Sequence, residues 1–384
     1  MAGYFKNVKN SFKLKNYIAY IVITAFLIVS ASLALTGYMN RSTQNLLTQI
    51  AYSIILAVSL NLVVGFLGEL SLGHAGFMCV GAYLGCFLAN YLHTIIPSRL
   101  LVLVISMIVG GLIAAVFGFI IGLPALRLKG DYLAIVTLAF GEIVRTIFKN
   151  QKIFGGALGL STKKYGSDLF IVAFIVVLLM LVFIQNLVKS KHGRAITAIR
   201  DNEIAAKAMG INVTYYKLFV FVVSAFFAGI AGVIYGHYAT PVLYSFFSYN
   251  YSIEILVMVV LGSMGSINGS IIAAALITYI NFQLTTKLSG DLAALKYLIY
   301  ALILITIVIY NNAPGLASVK ERLSIKPLLK KVFGRFIKRT NDPAKQKDDE
   351  ADWDRIPTKI EMDAILSLDI KPDTTYAPDK REEK

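Results

Sequence analysis

Apolar windows, each long enough to cross a membrane, recur along the first 310 residues of this chain. They fall near residues 17–38, 46–67, 71–91, 100–123, 131–148, 168–188, 216–238, 251–264, 267–284 and 292–310. A helix needs roughly 20 apolar residues to span the hydrocarbon layer, and lipid admits only helices and closed barrels. Because 57% of the residues are hydrophobic and only 15% are charged, a soluble fold is excluded. We predict an all-α polytopic membrane protein with about ten transmembrane or re-entrant helices.

The basic and acidic residues that give the net charge of +15 are unevenly distributed along the chain. Residues 1–340 carry 29 basic and 9 acidic side chains, whereas residues 341–384 carry 8 basic and 13 acidic ones. Basic residues beside apolar windows set membrane orientation through the positive-inside bias. We therefore interpret the charge as a topology signal and expect no nucleic-acid partner.

The orientation follows from the charged segments. Four lysines place the basic N-terminus, residues 1–16, in the cytoplasm, and ten crossings return the C-terminal side there. The transmembrane domain would cover residues 17–316, with residues 17–38 as a retained first span and a cytoplasmic loop at 189–215. Residues 317–384 are predicted to be a charged cytoplasmic tail, largely disordered. Residues 149–167 contain four lysines and would face outward, against the bias, so a re-entrant or broken segment nearby is an open alternative.

Two windows carry small residues at every fourth position. These residues are Gly110, Ala114, Gly118 and Gly122 in one window and Ser224, Ala228, Gly232 and Gly236 in the other. Such stripes let helix backbones approach closely in lipid. They predict a packed helix bundle and no chemistry. Cys79 and Cys86 lie seven residues apart in one window, where a disulfide within a helix is geometrically impossible.

No recognisable catalytic, nucleotide-binding or metal-binding motif occurs in the sequence. There is no phosphate-binding loop and no HExxH, and the four histidines are widely scattered. We therefore predict no catalytic residue and no metal ligand. Any energy for transport would come from a partner or from an ion gradient.

A charged stretch in the cytoplasmic loop, GRAITAIRDNEIAAKAMGINVTYYKLFVF at residues 193–221, predicts a short helix over Ala195–Met209. Gly210 is placed to cap its C-terminus. Small alanines offer a surface for close approach, and Ile199 and Met209 offer an apolar anchor. By its residues alone, this helix fits docking onto a protein and contact with anionic lipid equally well.

The same stretch resembles the coupling-helix region of the LivM-type permeases of branched-chain amino-acid ABC importers. Further blocks match that family in order and spacing: LNLVVGFLGELSLGHAGFMCVGAY at 60–83, LPALRLKGDYLAIVTLAFGEIVRTI at 123–147, GGALGL at 155–160 and VLGSMGSINGS at 260–270. The resemblance implies an ABC importer permease bundle whose coupling helix sits in a cleft of the ATPase subunit. The coupling residues it implies are Arg194, Arg200, Asp201, Glu203, Ala205, Ala206 and Gly210.

The chain departs from the family pattern at two places. Where the family usually has an aromatic residue, Gly and Pro, this chain has Asn268, Gly269 and Ser270. The family's Pro-x-Gly-Leu appears here as Ala-Pro-Gly-Leu at residues 313–316. The tail after residue 340 lies outside the resemblance. These departures leave the predicted fold intact and weaken any inference of the substrate.

Charged residues at membrane depth are costly and normally face protein or a water-filled pathway. Glu69 and His74 flank Ser71 in a glycine-rich break between two apolar runs. A broken helix there would direct free backbone N–H groups at a substrate carboxylate. The alternative is that the glycines permit tight packing while Glu69 and His74 satisfy backbone groups or each other.

Three further carboxylates stand out. Glu142 and Arg145 are three residues apart and can pair on one helix face, and Asp131 lies at the start of the same helix, where a carboxylate offsets unsatisfied N–H groups. Glu254, near the outer start of its window, fits a gate residue or a cap. The translocation-path candidates are thus Glu69, Ser71, His74, Glu142 and Glu254.

The leading functional hypothesis is a permease subunit that alternates access and is not itself an ATP-cleaving enzyme. The resemblance implies the following assembly: a homologous second permease, two ABC ATPase subunits that use ATP and Mg, an extracytoplasmic binding protein, and branched-chain or similar small amino acids as cargo. It also implies the bacterial inner membrane. The positive-inside bias places both termini in the cytoplasm, and the lack of a recognisable motif predicts no cofactor bound by this chain. The alternative is an ion-coupled secondary carrier using Glu69, Glu142 and Glu254, and a membrane-embedded enzyme is a third class without supporting residues.

Overall fold

A computed structural model describes residues 40–287, apart from 127, 129, 164 and 167, together with residues 32, 301, 302 and 305. The α-helices with described bounds are α1 (Arg41–Asn61), α2 (His74–Ile95), α3 (Arg99–Ala125), α4 (Asp131–Asn150), α5 (Leu169–Lys189), α6 (Lys191–Asp201), α7 (Glu203–Ala208), α8 (Val213–Tyr238), α9 (Tyr249–Leu261) and α10 (Ile267–Lys287). Shorter 3₁₀ turns cover Lys152–Phe154, Gly156–Leu158 and Tyr244–Phe247. Within the described residues, extended pairing is limited to one antiparallel bridge between Leu160 and Val242.

Six helical stretches of the described chain are long and apolar enough to span a membrane. They are Arg41–Leu67, His74–Ile95, Arg99–Ala125, Leu169–Lys189, Val213–Tyr238 and Ile267–Thr286. Each overlaps one of the apolar windows predicted from the sequence. The prediction of an all-α polytopic protein is therefore confirmed for the described residues.

The predicted count of about ten membrane helices is not confirmed. Window 131–148 forms α4, but charged residues distributed from Asp131 to Lys149 keep it out of the candidate spans. Window 251–264 forms α9, which has only 13 residues. Windows 17–38 and 292–310 lie outside the described residues, save for 32, 301, 302 and 305. The predicted N-terminal segment 1–16 and tail 317–384 also lie outside them.

Helix α8 packs against α2 and α3 through the small residues that the sequence places at every fourth position. A Cβ atom at Gly232 would lie 2.1 Å from the Met78 carbonyl oxygen of α2. A Cβ atom at Gly118 of α3 would lie 2.6 Å from the Ala225 side chain of α8. Larger side chains would force these backbones apart, so the predicted packing role of the stripes is confirmed. Cys79 and Cys86 are buried and unbridged.

The chain breaks where the glycine-rich segment predicts it. Helix α1 ends in a π-helical turn, Leu62–Leu67, and Gly68 follows with a left-handed φ of 83°. Residues 69–73 are not helical, and α2 begins at His74. The break leaves backbone groups that must find partners outside a regular helix.

The single helix predicted over Ala195–Met209 is wrong, because Asn202 divides it into α6 and α7. Asn202 is extended, with φ −158° and ψ 107°, and its side-chain oxygen accepts hydrogen bonds from the Ile204 and Ala205 amides, each 3.0 Å away. Asparagine is a favoured N-cap because its oxygen replaces the missing helical acceptor. Gly210 follows α7 with φ 80°, as expected of a C-terminal cap.

The segment that follows α4 is irregular, as one of the alternatives for residues 149–167 proposed. Two 3₁₀ turns lead to Leu160, which pairs with Val242. The Thr162 hydroxyl then donates a hydrogen bond to the Gly236 carbonyl oxygen at 2.8 Å. This segment is thereby attached to the C-terminal end of α8.

Candidate functional site

The end of α6, the break after α1 and the turn between α9 and α10 meet at one junction. Arg200 Nη1 donates a hydrogen bond to the Gly65 carbonyl oxygen, 3.1 Å away. A Cβ atom at Gly65 would lie 2.2 Å from the Gly265 amide nitrogen. Three of the five blocks that carry the family resemblance in the sequence, at 60–83, 193–221 and 260–270, are therefore in direct contact.

Asn61, which was not predicted, holds the turn between α9 and α10 against the end of α1. Its side-chain oxygen accepts a hydrogen bond from the Gly265 amide at 2.9 Å, and its side-chain nitrogen donates to the Ser266 carbonyl oxygen at 3.1 Å. Asn61 is fully buried. A polar amide in a long apolar run was the signal that could have identified it, because buried amides require specific partners.

A buried lysine connects the break to α7. Lys217 Nζ, near the start of α8, donates hydrogen bonds to Glu69 and to Glu203, the latter at 3.2 Å. Glu203 also accepts a hydrogen bond from Lys207 at 2.8 Å. The Lys207 ammonium, and behind it Lys217, lower the pKa of the Glu203 carboxyl to about 2. Glu69 therefore belongs to the same ionic cluster as the predicted coupling residue Glu203.

Helices α6 and α7 present different faces to the bundle and to the outside. Ile196, Ile199 and Ala206 are buried in the bundle. Ile204 and Met209 are 79% and 82% exposed. The expectation that Ile199 anchors a partner is wrong, because that side chain already packs inward.

The remaining predicted coupling residues divide in the same way. The exposed side carries Arg194, Asp201, Ala205 and Gly210. The guanidinium of Arg200 instead reaches inward to Gly65. It also contacts the Asp201 carboxylate at 2.9 Å. The two-helix segment is thus anchored from within and has an outer face that the described part of the chain leaves uncovered.

Ser71 and His74 are both buried at the entry to α2. The His74 ring nitrogen Nε2 lies 2.8 Å from the Ser59 hydroxyl. The Leu72 amide donates to the Thr137 hydroxyl at 3.0 Å, and the Ala75 amide donates to the Ser252 hydroxyl at 3.1 Å. The expectation that these N–H groups are free for a substrate carboxylate is therefore wrong for Leu72 and Ala75.

Glu142 has a structural environment. It forms the predicted ion pair with Arg145, 2.8 Å apart, and one of its oxygens accepts a hydrogen bond from the Tyr249 amide at 3.0 Å. That amide is at the first residue of α9, so the carboxylate stabilises a helix N-terminus. Asp131 is exposed at the first residue of α4, as predicted.

Glu254 lines a cavity of about 440 Å³ between α1, α8, α9 and α10. Its carboxylate accepts a hydrogen bond from the Asn281 side chain at 2.9 Å. The wall also contains Tyr52, Tyr238 and Thr278, none of which was predicted from the sequence. Of the five predicted path residues, Glu254 is the one whose side chain lines this cavity.

The ionic cluster and the cavity lie toward opposite ends of α8. Lys217 is close to the first residue of that helix and Tyr238 is its last residue, which separates them by roughly 30 Å at 1.5 Å per residue. Among the residues that the structure describes, no group of three His, Cys, Asp or Glu side chains is arranged to hold a metal ion. The described residues form a helix bundle. The polar cavity lies toward one end of α8, and the charged helices α6 and α7, which have an exposed face, lie toward its other end.

Comparisons with known proteins relate this chain to transport permeases. The family described as "Branched-chain amino acid transport system / permease component" matches residues 42–308. The chain is 33% identical over 326 residues to the high-affinity branched-chain amino acid transport system permease proteins LivM of Salmonella typhimurium and Escherichia coli K12, covering 75% of this chain and 73% of each relative. It is 22% identical over 245 residues to LivH of Escherichia coli K12, covering 58% and 78%. No solved structure matches the chain.

Proposed function

This chain belongs to the family of branched-chain amino acid transport permeases, and from that premise we propose that it is one membrane-spanning subunit of an ATP-driven importer. It is a multi-pass membrane protein with a permease role. The cargo we propose is a branched-chain or similarly small amino acid. Access to the cavity alternates between the two sides of the bacterial inner membrane.

The observation that carries the ATP-driven proposal is the geometry of α6 and α7. Ile204 in α7 and Met209 directly after it are exposed, and α6 contacts the break after α1 through Arg200. A partner protein that covers these two side chains removes apolar surface from water, which favours binding. A partner that moves α6 would therefore act directly on the segment between α1 and α2.

The partners we propose follow from the relatives. Relatives of two kinds, LivM and LivH, are permease proteins of high-affinity branched-chain amino acid transport systems. We propose a LivH-like second permease beside this chain, two ATPases that bind ATP and Mg, and an extracytoplasmic binding protein. The face of α6 and α7 and both termini would then be cytoplasmic.

An ion-coupled carrier fits the charges less well. That alternative needs carboxylates that can exchange a proton or a sodium ion, and Glu69 and Glu142 are already paired with Lys217 and Arg145. The lysine and arginine donors occupy carboxylate oxygens that a coupling ion would need to contact. Two of the three carboxylates that a carrier would use are therefore already held in ion pairs within the bundle.

The test is co-purification of the ATPases with this chain, combined with uptake of radiolabelled leucine into cells that express all subunits. Ile204→Asp and Met209→Asp each place a charge on the proposed dock without disturbing the buried face. The matched control is Ile153→Asp, because the Ile153 side chain is also exposed, at 70%, and lies on the segment after α4. We expect the dock variants to lose both ATPases and uptake and the control to keep both. Retention of the ATPases by both dock variants would contradict the proposal.

A further inference from the structure

A cavity of about 420 Å³ lies where α2 ends and α3 begins. We call it the basic cavity, and its lining consists of His93, Ile96, Pro97, Arg99, Lys163 and Tyr165. Arg99 is the first residue of the candidate span Arg99–Ala125, and His93 is close to the end of the candidate span His74–Ile95. The basic cavity is therefore placed at the boundary of the membrane, where phospholipid headgroups lie.

The charges that line the basic cavity are of one sign. Arg99 and Lys163 are exposed and take part in none of the ion pairs among the described residues. The described lining contains no acidic side chain, and His93 and the Tyr165 hydroxyl add two groups that can donate hydrogen bonds. Asp168 is exposed and lies outside the lining. Guanidinium and ammonium groups placed together in this way favour a phosphate group.

The start of α3 adds to this preference. Ser98 precedes the helix, and its side chain forms no cap hydrogen bond with the first turn. The first amides of a helix have no intrahelical acceptor, and the helix dipole gives this end a partial positive charge. A phosphate oxygen bound beside Arg99 would supply an acceptor.

An apolar groove of about 570 Å³ runs along the helices that begin at the basic cavity. The groove lies between α3, α5 and α8, and every residue that lines it is apolar. On α3 it extends from Val104 to Ala115, and on α5 it begins at Val172, seven residues after Tyr165. The ligand that fits both features has an anionic head and an apolar chain.

The dimensions of the two features match one leaflet of a bilayer. Val104 is five residues after Arg99, and Ala115 is eleven residues after Val104. At 1.5 Å per residue these separations are roughly 8 Å and 16 Å along α3. The headgroup layer on each side of a bilayer is about 5–8 Å thick, and half of the hydrocarbon core is about 15 Å thick. A single phospholipid therefore has the length to occupy both.

We propose that the basic cavity and the apolar groove together bind one anionic phospholipid. Arg99 and Lys163 hold the phosphate, and His93 and the Tyr165 hydroxyl donate hydrogen bonds to the headgroup. An acyl chain lies in the groove, where it packs against the apolar side chains of α3, α5 and α8. The chain thus carries a lipid site that selects for negative charge.

This site is separate from the exposed face of α6 and α7. The Tyr165 amide donates a hydrogen bond to the His237 carbonyl oxygen at 3.3 Å, which places the basic cavity at the C-terminal end of α8. Helices α6 and α7 lie toward the other end of α8. The inference depends on the membrane location of the chain and is independent of the proposed ATPases and of the cargo.

The test is quenching of tryptophan fluorescence by brominated lipids, measured on the full-length protein in phosphatidylcholine bilayers. Trp353→Phe removes the single tryptophan of the chain, and Ile175→Trp then places a reporter in the groove. Phe119→Trp is the matched reporter on α3 outside the groove, since Phe119 is 47% exposed and Ile175 is 45% exposed. Phosphatidylglycerol and phosphatidylcholine with the same dibrominated chains are compared, so that only the headgroup differs.

We expect the preference for phosphatidylglycerol over phosphatidylcholine to be roughly tenfold larger at Ile175→Trp than at Phe119→Trp. The reason is that the basic cavity attracts the phosphate of both lipids but repels the choline cation of phosphatidylcholine. Arg99→Gln combined with Lys163→Gln should remove this excess, whereas Arg99→Lys combined with Lys163→Arg, which keeps both charges, should retain most of it. An excess that survives the loss of both charges would overturn the phosphate site.

The matched control removes two positive charges from elsewhere. Arg41→Gln combined with Lys152→Gln changes two exposed residues outside the basic cavity and should leave the excess unchanged. Loss of the excess in this control would mean that the net charge of the protein, and not the basic cavity, selects the lipid, which would overturn the proposal.

The same measurement separates a lipid from other occupants. If neither lipid quenches Ile175→Trp, a protein segment fills the groove and the proposal is wrong. At constant ionic strength, inorganic phosphate should leave the excess unchanged, because it has no acyl chain to hold it in the groove. Removal of the excess by inorganic phosphate would identify a free anion as the ligand and overturn the lipid assignment.

Discussion

Arg200 and Gly65 are joined by a hydrogen bond from the guanidinium Nη1 to the backbone carbonyl oxygen, with the two atoms 3.1 Å apart. The same guanidinium holds the Asp201 carboxylate through Nε and Nη2. A planar guanidinium can serve both acceptors at once because its donors point in fixed, different directions. Arg200 therefore links α6 to the π-helical turn, and we expect a displacement of α6 to be passed to the break that leads into α2.

Arg200→Lys is expected to reduce leucine uptake severalfold while the ATPases still co-purify. A lysine ammonium is a single point of charge on a flexible stem and does not reproduce the two fixed sets of contacts. The outer face of α7 is untouched, so binding of the partners should persist. Uptake and co-purification are measured on the same membranes. Arg41→Lys, the same change at an exposed position at the start of α1, should have no effect, and normal uptake by Arg200→Lys would disprove this role.

Gly65→Ala is expected to destabilise the protein by about 1–3 kcal/mol or more, because the added methyl group overpacks the junction. Its Cβ would lie 1.9 Å from the Asn61 side-chain oxygen and 2.2 Å from the Gly265 amide nitrogen. The measurement is the melting temperature of the purified protein in detergent. Gly166→Ala is the control, since a Cβ there meets nothing within 4 Å. Equal melting temperatures for the two variants would contradict the close approach of Gly65 and Gly265.

The six candidate spans and the helix packing could be predicted from the sequence because both depend on local patterns. Hydropathy over a window of 20 residues identifies a span wherever its partners lie, and a small residue at every fourth position marks a face. Gly118 and Gly232 occupy such faces, and each meets a backbone or side chain of a neighbouring helix. The pair of Glu142 and Arg145 was predictable for the same reason, since both lie on one helix turn.

The contacts that organise the candidate site could not be predicted, because their partners are distant in the sequence. Lys217 lies 148 residues from Glu69, and Asn61 lies 204 residues from Gly265. Hydropathy gives no information on which buried polar groups pair. The division of α6 from α7 was missed for a different reason. The Asn202 side chain accepts hydrogen bonds from nearby backbone amides, and these bonds compete with a continuous helix. A count of helix-forming residues does not include them.

Lys217→Gln is expected to destabilise the protein by about 3 kcal/mol, because it leaves the largely buried Glu69 carboxylate without its cation. Lys217 is 6% exposed and Glu69 is 13% exposed. Glu69→Gln combined with Lys217→Gln should recover about 1–3 kcal/mol relative to the sum of the single changes. The free energy of unfolding in a denaturant titration provides the measurement. Lys207→Gln, at a lysine 58% exposed, is the control and should cost less than about 1 kcal/mol. Strictly additive effects at positions 69 and 217 would contradict the pairing.

Glu203→Gln is expected to be less stable than the wild type at neutral pH, by a margin that shrinks in acid. Lys207 first, and then Lys217, lower the pKa of Glu203 to about 2 from an ordinary value of 4.5. A carboxyl whose pKa is lowered by folding stabilises the protein fully above its unfolded pKa, and that contribution disappears as the pH falls through the folded pKa. The difference in melting temperature between the two proteins should therefore be largest near about pH 6 and narrow toward about pH 3.

Lys207→Gln provides the intermediate case for this pH dependence, because it removes the first cation and leaves Lys217 in place. Its Glu203 carboxyl should have a smaller downward shift in pKa, so its stability should respond to acid over a narrower range than that of the wild type. Melting temperatures of the three proteins across the same buffers measure the effect. A difference between wild type and Glu203→Gln that stays constant down to about pH 3 would show that Glu203 contributes through packing and not through its charge.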